Sequence, residues 1–251
     1  MRYHWNEKTC GENSDRYELS LPGRQQELVE AVAATGVPTV VILVNGRPLT
    51  TEWIDENMPC IIEAWEPGVA GGQALAEILY GKVNPSGKLP ITIPRSTGQI
   101  QCMYNHKFTN HWFPYATGNS LPLYEFGYGL SYTTYKYENL KLSEATITPD
   151  KSVKITVDVT NTGKMDGEET VQLYIRDEYS SATRPVKELK DFARIPLKAG
   201  ETKEVSFTLT PEMLSYYDAN MHYGVENGTF KIMVGASSRD TDLQSIILTV
   251  K

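Results

Sequence analysis

Val153-Lys154-Ile155-Thr156-Val157-Asp158-Val159-Thr160 alternates without a break, hydrophobic at the odd positions and polar at the even ones. Side chains of a β-strand point to opposite faces in turn, so this stretch predicts a strand with one buried and one wet face. One-sided burial is the mark of an antiparallel sheet. The same period recurs at Val171-Leu173-Ile175, Val205-Phe207-Leu209 and Phe230-Ile232-Val234, with a last strand near Ile246 to Val250. Asn161-Thr162-Gly163, Asp166-Gly167, Ala199-Gly200 and Asn227-Gly228 punctuate these runs as turns. About seven short strands over ~110 residues describe a β-sandwich of immunoglobulin or fibronectin type.

Upstream of about Lys141 the period changes. Ser20-Leu21-Pro22-Gly23 precedes a helical pattern from Arg24 to Thr35, with Leu28 and Val32 on one face and Gly36 placed to end it. Thr39-Val40-Val41-Ile42-Leu43-Val44 is apolar nearly throughout, which suits a parallel strand covered on both faces. Cys60-Ile61-Ile62-Glu63-Ala64-Trp65 reads as a second such strand. A glycine-rich turn from Pro67 to Gly72 then opens a short helix carrying Leu75, Ile78 and Leu79, closed by Gly81. Elements in this order belong to an α/β layered sheet, and two or three parallel strands rarely stand alone. The expected fold class is therefore α/β plus all-β: an incomplete α/β layered sandwich over 1–137, then a β-sandwich over 138–251. Between the two regimes, Ser96 to Tyr137 is rich in Gly, Pro, Asn and aromatics and has no period. It is too long for a plain linker and is expected to drape over a domain surface.

Composition narrows the function classes. The chain has 251 residues, 40% hydrophobic and 22% charged, with 15 tyrosines and a net charge of -7. That is a globular composition, neither disordered nor collagen-like. No basic patch is present for nucleic acid, so a polynucleotide partner is not expected. The apolar run at Thr39–Val44 falls far short of the ~20 residues of a membrane span, so no membrane partner is expected either. Met1 to Lys8 contains no apolar signal-type segment, and nothing in the sequence names a compartment. Cys10, Cys60 and Cys102 are widely spaced and form neither a CxxC pair nor a zinc pattern, which reads as idle or buried thiols.

Several catalytic signatures fail when tested. Gly81-Lys82-Val83-Asn84-Pro85-Ser86-Gly87-Lys88 resembles a phosphate loop, but the glycines are one residue too far apart. Leu89 also stands where the magnesium-binding hydroxyl would be. No serine sits in GxSxG, and His4, His106, His111 and His222 make no HExxH pair. No metal or cofactor is expected. What remains is Asn6-Glu7-Lys8-Thr9-Cys10-Gly11-Glu12-Asn13-Ser14-Asp15-Arg16, a carboxylate-rich stretch that precedes the first helix and so falls in a loop at the sheet edge. Two readings stand. A carboxylic acid there could protonate a leaving oxygen if burial raised its pKa. Alternatively, Glu12, Asp15 and Arg16 form a solvated charge cluster or a structural ion pair.

Gly11-Glu12-Asn13-Ser14-Asp15-Arg16, followed by Leu19-Ser20-Leu21-Pro22-Gly23-Arg24-Gln25, resembles glycoside hydrolase family 3, the β-glucosidases and β-xylosidases. The likeness continues through Val44-Asn45-Gly46-Arg47-Pro48-Leu49, Glu63-Ala64-Trp65-Glu66-Pro67-Gly68 and Asn84-Pro85-Ser86-Gly87-Lys88-Leu89-Pro90. Its most specific part is Tyr124-Glu125-Phe126-Gly127-Tyr128-Gly129-Leu130-Ser131-Tyr132-Thr133. Val159-Thr160-Asn161-Thr162-Gly163 and Arg184-Pro185-Val186-Lys187-Glu188-Leu189 resemble the fibronectin type III-like domain that ends many of these enzymes. Two sites depart from the pattern: the pair Val69-Ala70 stands where Gln-Glu is frequent before the double glycine, and Glu125 stands where Pro is common.

The resemblance implies retaining glycoside hydrolysis, which needs a nucleophile and an acid/base about 5 to 5.5 Å apart. It also implies a (β/α)8 barrel carrying the nucleophilic aspartate, a layered α/β domain supplying the acid/base, and the terminal sandwich. The sequence has no eight-fold βα pattern, so the expectation is a C-terminal portion of such an enzyme, with the barrel absent and required as a partner. Glu12 is the expected acid/base and Glu7 the runner-up, because that loop aligns poorly within the family. Arg16 is expected to orient the loop, and Trp112, with Phe113 and Tyr115, to offer either a stacking platform for sugar or interdomain packing. The implied substrate is a β-linked oligosaccharide or aryl glycoside. A carbohydrate-binding or structural sandwich without catalysis is the alternative.

Overall fold

A computed structural model describes residues 16–99, 102–108 and 115–251. The described residues fall into two compact units, drawn from Met1–Val83, Ile91–Cys102 and Phe113–Tyr124, and from Asn84–Pro90, Met103–Trp112 and Glu125–Lys251.

In the first unit, helix α1 (Gln25–Ala33) ends before Gly36, whose φ of 71° suits a residue without a Cβ. Strand β1 (Val40–Leu43) leads through α2 (Glu52–Asn57) to β2 (Cys60–Glu63), and α3 (Gly71–Leu79) follows. β1 and β2 pair in parallel, from Val40 opposite Cys60 to Leu43 opposite Glu63. Parallel strands are normally covered on both faces. Here Val40 is 40% and Val44 49% exposed, so the α/β layer is incomplete among the described residues, as the periodicity predicts. Helix α2 escapes a periodicity reading because it spans only six residues and buries one of them, Ile54.

The second unit is a β-sandwich. One sheet has the order β4-β12-β11-β6-β7, the other β3-β5-β8. Their strands are β3 (Tyr135–Leu142), β4 (Thr146–Ile147), β5 (Val153–Asn161), β6 (Gly167–Asp177), β7 (Glu188–Leu197), β8 (Thr202–Leu209), β11 (Gly228–Gly235) and β12 (Leu243–Val250). A short helix α4 (Pro211–Leu214) and a small pair, β9 (Tyr216–Tyr217) with β10 (Tyr223–Gly224), sit between β8 and β11. Between the sheets lie Ile155, Val157 and Val159 of β5, Leu173 and Ile175 of β6, and Ile232 and Val234 of β11, none of them reached by solvent. Full burial of each such side chain contributes about 1.5–3 kcal/mol.

Strands β3 and β7 were not legible from period alone, for local reasons. β3 breaks its alternation at a bulge between Glu138 and Lys141, where Asn139 takes a φ of 57°. β7 is a sheet edge with a bulge opposite Leu173 and Tyr174, and it turns Phe192 toward solvent.

Strand β6 departs from one-sided burial. Its second face buries Gln172 and Tyr174, covered by segments from the stretch without a period, while Glu169 is a buried carboxylate on the same face as Val171, Leu173 and Ile175. Tyr104 packs edge-on against Tyr174 at 5.8 Å and stacks on Phe126 at 4.4 Å. Gln172 Nε2 donates to the carbonyl of Gly127 at 3.1 Å. Lys88 reaches Glu169 at 3.3 Å, and the Tyr137 hydroxyl donates to the same carboxylate at 2.8 Å. Asn84 Oδ1 accepts from Ser131 Oγ and from the Tyr132 amide, each at 2.8 Å. Leu89 N donates to Tyr128 O and Gly127 N to Leu89 O, both at 2.8 Å. At the end of β5, the buried Asn161 accepts from Thr133 Oγ1 at 2.6 Å and donates to Met165 O at 2.8 Å. The stretches 84–90, 125–133 and 159–163 are thus one clasp. Lys88 serves the sandwich rather than a phosphate.

Two predictions follow from the clasp. A Cβ on Gly129 would fall on the Gly87 carbonyl oxygen, whereas a Cβ on Gly87 meets nothing within 4 Å. Gly129→Ala should therefore cost about 1–3 kcal/mol in chemical denaturation, and Gly87→Ala no more than about 0.5 kcal/mol. Equal losses would contradict this packing. The second concerns Lys88→Met. Burial raises the Glu169 carboxyl above its ordinary range, and Lys88 pulls it back. A raised folded-state value means that stability is lost as pH rises through it. Without Lys88 that value climbs further, so the variant should lose about 3 kcal/mol at pH 8 and markedly less at pH 4.5. A loss independent of pH would show that Lys88 acts through its bond to Gly129 O at 3.1 Å and not through the Glu169 charge.

Candidate functional site

Parallel α/β sheets bind ligands beyond the carboxyl ends of their strands, where loops carry polar groups. In the first unit, Asn45 and Arg47 follow β1, and Trp65 and Glu66 follow β2. The two exits are tied together: Asn45 N donates to Trp65 O at 3.1 Å and Ala64 N to Leu43 O at 2.9 Å. Asn45 Nδ2 donates to Arg47 O at 2.8 Å, bending the chain after β1.

Glu63, the last residue of β2, is the carboxylate at this end. One of its oxygens accepts from Trp65 N at 3.1 Å, the other from Asn45 Nδ2 at 3.5 Å. Burial raises its pKa, opposed by those two donors. Trp65 takes a φ of 49°, a left-handed conformation that costs a bulky residue of the order of 1 kcal/mol or more. The Glu63 bond to its amide helps hold it there. Two residues on, Pro67 packs so close to the start of α3 that a Cβ on Gly71 would lie 2.6 Å from Pro67 Cγ. The turn is thereby fixed from both sides, by a carboxylate before it and a ring against glycine after it.

A second set of contacts fixes the chain that enters this region. Leu19 N donates to Thr97 Oγ1 at 3.1 Å, and Thr50 N donates to Leu19 O at 2.9 Å. Thr50 lies a few residues beyond β1, so the segment that follows the Gly11–Arg16 stretch is pinned beside that exit. Gln99 braces the neighbouring loop, donating to Ser120 O at 2.8 Å and accepting from Arg95 N at 2.8 Å. Arg95 pairs with Glu52 of α2 at 2.8 Å.

Of the residues singled out from sequence, Glu7, Glu12 and Trp112 lie outside the described residues, as does Phe113. Arg16 is described: its Nη2 donates to Ser20 O at 3.2 Å, closing a local turn. Tyr115 is 46% exposed. Glu63 is the functional-type residue that sequence reasoning passed over, although a lone carboxylate inside an apolar strand was the signal. Among the described residues no three His, Cys, Asp or Glu side chains cluster as a metal site requires, and no helix is long and apolar enough to cross a membrane. Chemically, the site offers a half-buried carboxyl and an amide side chain at its rim, beside a pinned entry loop.

Comparison with known proteins agrees with this architecture. Residues 3–132 match the glycosyl hydrolase family 3 C-terminal domain, and residues 169–238 the fibronectin type III-like domain. A beta-xylosidase of Formosa agariphila is 47% identical over 247 residues, covering 97% of this chain and 34% of the relative. A periplasmic beta-glucosidase of Salmonella typhimurium is 43% identical over 240 residues, covering 90% and 31%. Among solved structures, a β-glucosidase from Erythrobacter marinus superposes with a TM-score of 0.91 at 43% identity, over 98% of this chain and 32% of that one. The beta-glucosidase of Listeria innocua in complex with glucose superposes with a TM-score of 0.91 at 35% identity, over 96% and 34%. The chain thus spans about a third of the length of the curated relatives it matches. With both family domains matched in order and the α/β layer preceding the sandwich, this chain belongs to glycosyl hydrolase family 3.

Proposed function

We propose that the chain supplies the acid/base side of a retaining, exo-acting β-glycosidase site, with Glu12 as the proton donor. The observation that carries this reading is the pinning of Leu19 between Thr50 and Thr97. In sequence Glu12 precedes that anchor by only seven positions, which supports a role for it beside the chain that follows β1. The relatives named beta-xylosidase and beta-glucosidase support β-linked oligosaccharides or aryl glycosides as substrates. In this reading a carboxylate nucleophile comes from a barrel outside these 251 residues. It attacks the anomeric carbon while Glu12 protonates the leaving oxygen, and the deprotonated Glu12 then draws a proton from water that releases the sugar. Glu7 is the alternative donor in the same loop. Arg16 holds the loop's base through its bond to Ser20 O. Trp112 is proposed as a stacking surface for the sugar.

Leaving-group dependence tests the donor. In an enzyme uniting this chain with its barrel, Glu12→Ala should depress kcat/KM by about 100-fold or more for alkyl glycosides, which need protonation, and much less for nitrophenyl glycosides. Azide should partly restore turnover by attacking the glycosyl intermediate. If Glu7→Ala gives this pattern and Glu12→Ala does not, the role belongs to Glu7. The chain by itself should leave nitrophenyl β-glucoside and β-xyloside at background, because the covalent route needs the nucleophile. Turnover by the chain alone, abolished by changing one of its own carboxylates, would overturn the division of labour.

A further inference from the structure

A cleft of about 460 Å³ opens on the sandwich unit, between Phe108 and the connection from β6 to β7. Its size falls in the range of about 300–1,000 Å³ typical of small-molecule sites. The floor is rigid. Arg184 lies beneath it with only 6% of its side chain exposed, paired with Asp177 at 3.3 Å and Glu188 at 2.8 Å and donating to Leu214 O at 2.9 Å. Tyr216 covers the guanidinium, its ring centroid 4.8 Å from Cζ. Lys107 holds the near wall by donating to Thr183 O, and Val186 N bonds His106 O at 2.9 Å.

The walls combine exposed rings with paired charges. Phe108 is 54% and Tyr179 85% exposed, so two aromatic rings are presented to the cleft. Arg176 lies 5.9 Å from the Phe108 ring and 3.9 Å from the Glu178 carboxylate. Each cation lining the cleft thus has an anion of its own: Arg176 has Glu178, and Arg184 has Asp177. A cleft whose charges cancel in pairs has no reason to select an ion. Its exposed rings and planar hydrogen-bonding groups suit a neutral ligand with apolar C–H faces and a rim of hydroxyls. Pyranose rings are such ligands, stacking on aromatic faces while carboxylate and guanidinium groups bond their hydroxyls.

We propose that this cleft binds a β-linked oligosaccharide, with Tyr179 and Phe108 as stacking surfaces and Arg176 and Glu178 as partners for its hydroxyls. The choice of glucose or xylose units rests on the function proposed above; the cleft as a sugar site does not. Titration calorimetry of the full chain with cellotetraose and xylotetraose tests it. Saturable millimolar binding is expected for at least one of them. Tyr179→Ala and Phe108→Ala should each weaken it about tenfold, roughly the contribution of one stacked ring. Both side chains are exposed, so the melting temperature should stay unchanged, and Glu12→Ala should leave the affinity as it was. Absence of binding, or binding indifferent to Tyr179 and Phe108, would overturn the proposal without touching the leaving-group test. Tyr179-dependent binding of glucuronate in preference to both tetrasaccharides would overturn the neutral-ligand reading.

Discussion

Strand β6 buries polar side chains that water can no longer serve, and each therefore needs a partner from elsewhere in the chain. Glu169 takes Lys88 and Tyr137, Gln172 takes the carbonyls of Gly127 and Ala236, and Asp177 takes Arg184. None of these partners is a neighbour in sequence. The demand made by one strand thus fixes where 84–90 and 125–133 must lie and how the β6–β7 connection is held. Removing one partner would leave a buried polar group short of a bond that water cannot replace, which costs more than the bond itself contributed. This is how short stretches far apart in the chain come to be ordered together.

Much of the architecture was legible because burial writes a period into the sequence. β5 carries that signal fully, every odd residue from Val153 to Asn161 being buried. The parallel pair β1 and β2 was legible for the opposite reason, short runs that are apolar without alternation up to Glu63. The signal fails where burial is two-sided and partly polar, as on β6, or where an edge strand turns an aromatic outward, as Phe192 on β7. The clasp had no period at all. Its order comes from side chains that reach across 40 to 80 positions, such as Asn84 to Ser131 and Lys88 to Glu169, and resemblance rather than periodicity drew attention to it.

The candidate site divides in the same way. Chemistry-bearing types pointed to Glu12 and Glu7, whereas the described residues show how the entry loop is pinned and the β2 exit braced. Glu63 was passed over because it sits inside a run that reads as pure strand. Its role becomes visible only once Trp65 is seen at a positive φ, with its amide bonded back to that carboxylate. A strained turn at the carboxyl end of a parallel strand, braced by a half-buried carboxyl, is the kind of feature that the rest of the domain must over-determine.

The departure at Glu125 can be argued the same way. Proline, common there in the family, stiffens a chain by fixing φ and lowering the entropy of the unfolded state. Glu125 has no such restriction, so the order of the turn must come from contacts. Its carboxylate accepts from Arg239 Nη2 at 2.9 Å and Nε at 3.1 Å, and the guanidinium lies 4.5 Å from the Tyr128 ring centroid. Ser238 N closes the same corner by donating to Phe126 O at 2.9 Å. The ends of 125–128 are thus tied to the turn after β11 by charge and by stacking. The substitution exchanges a local backbone restraint for a tertiary one, leaving Gly127 free to take the φ of 79° that lets Gln172 reach its carbonyl.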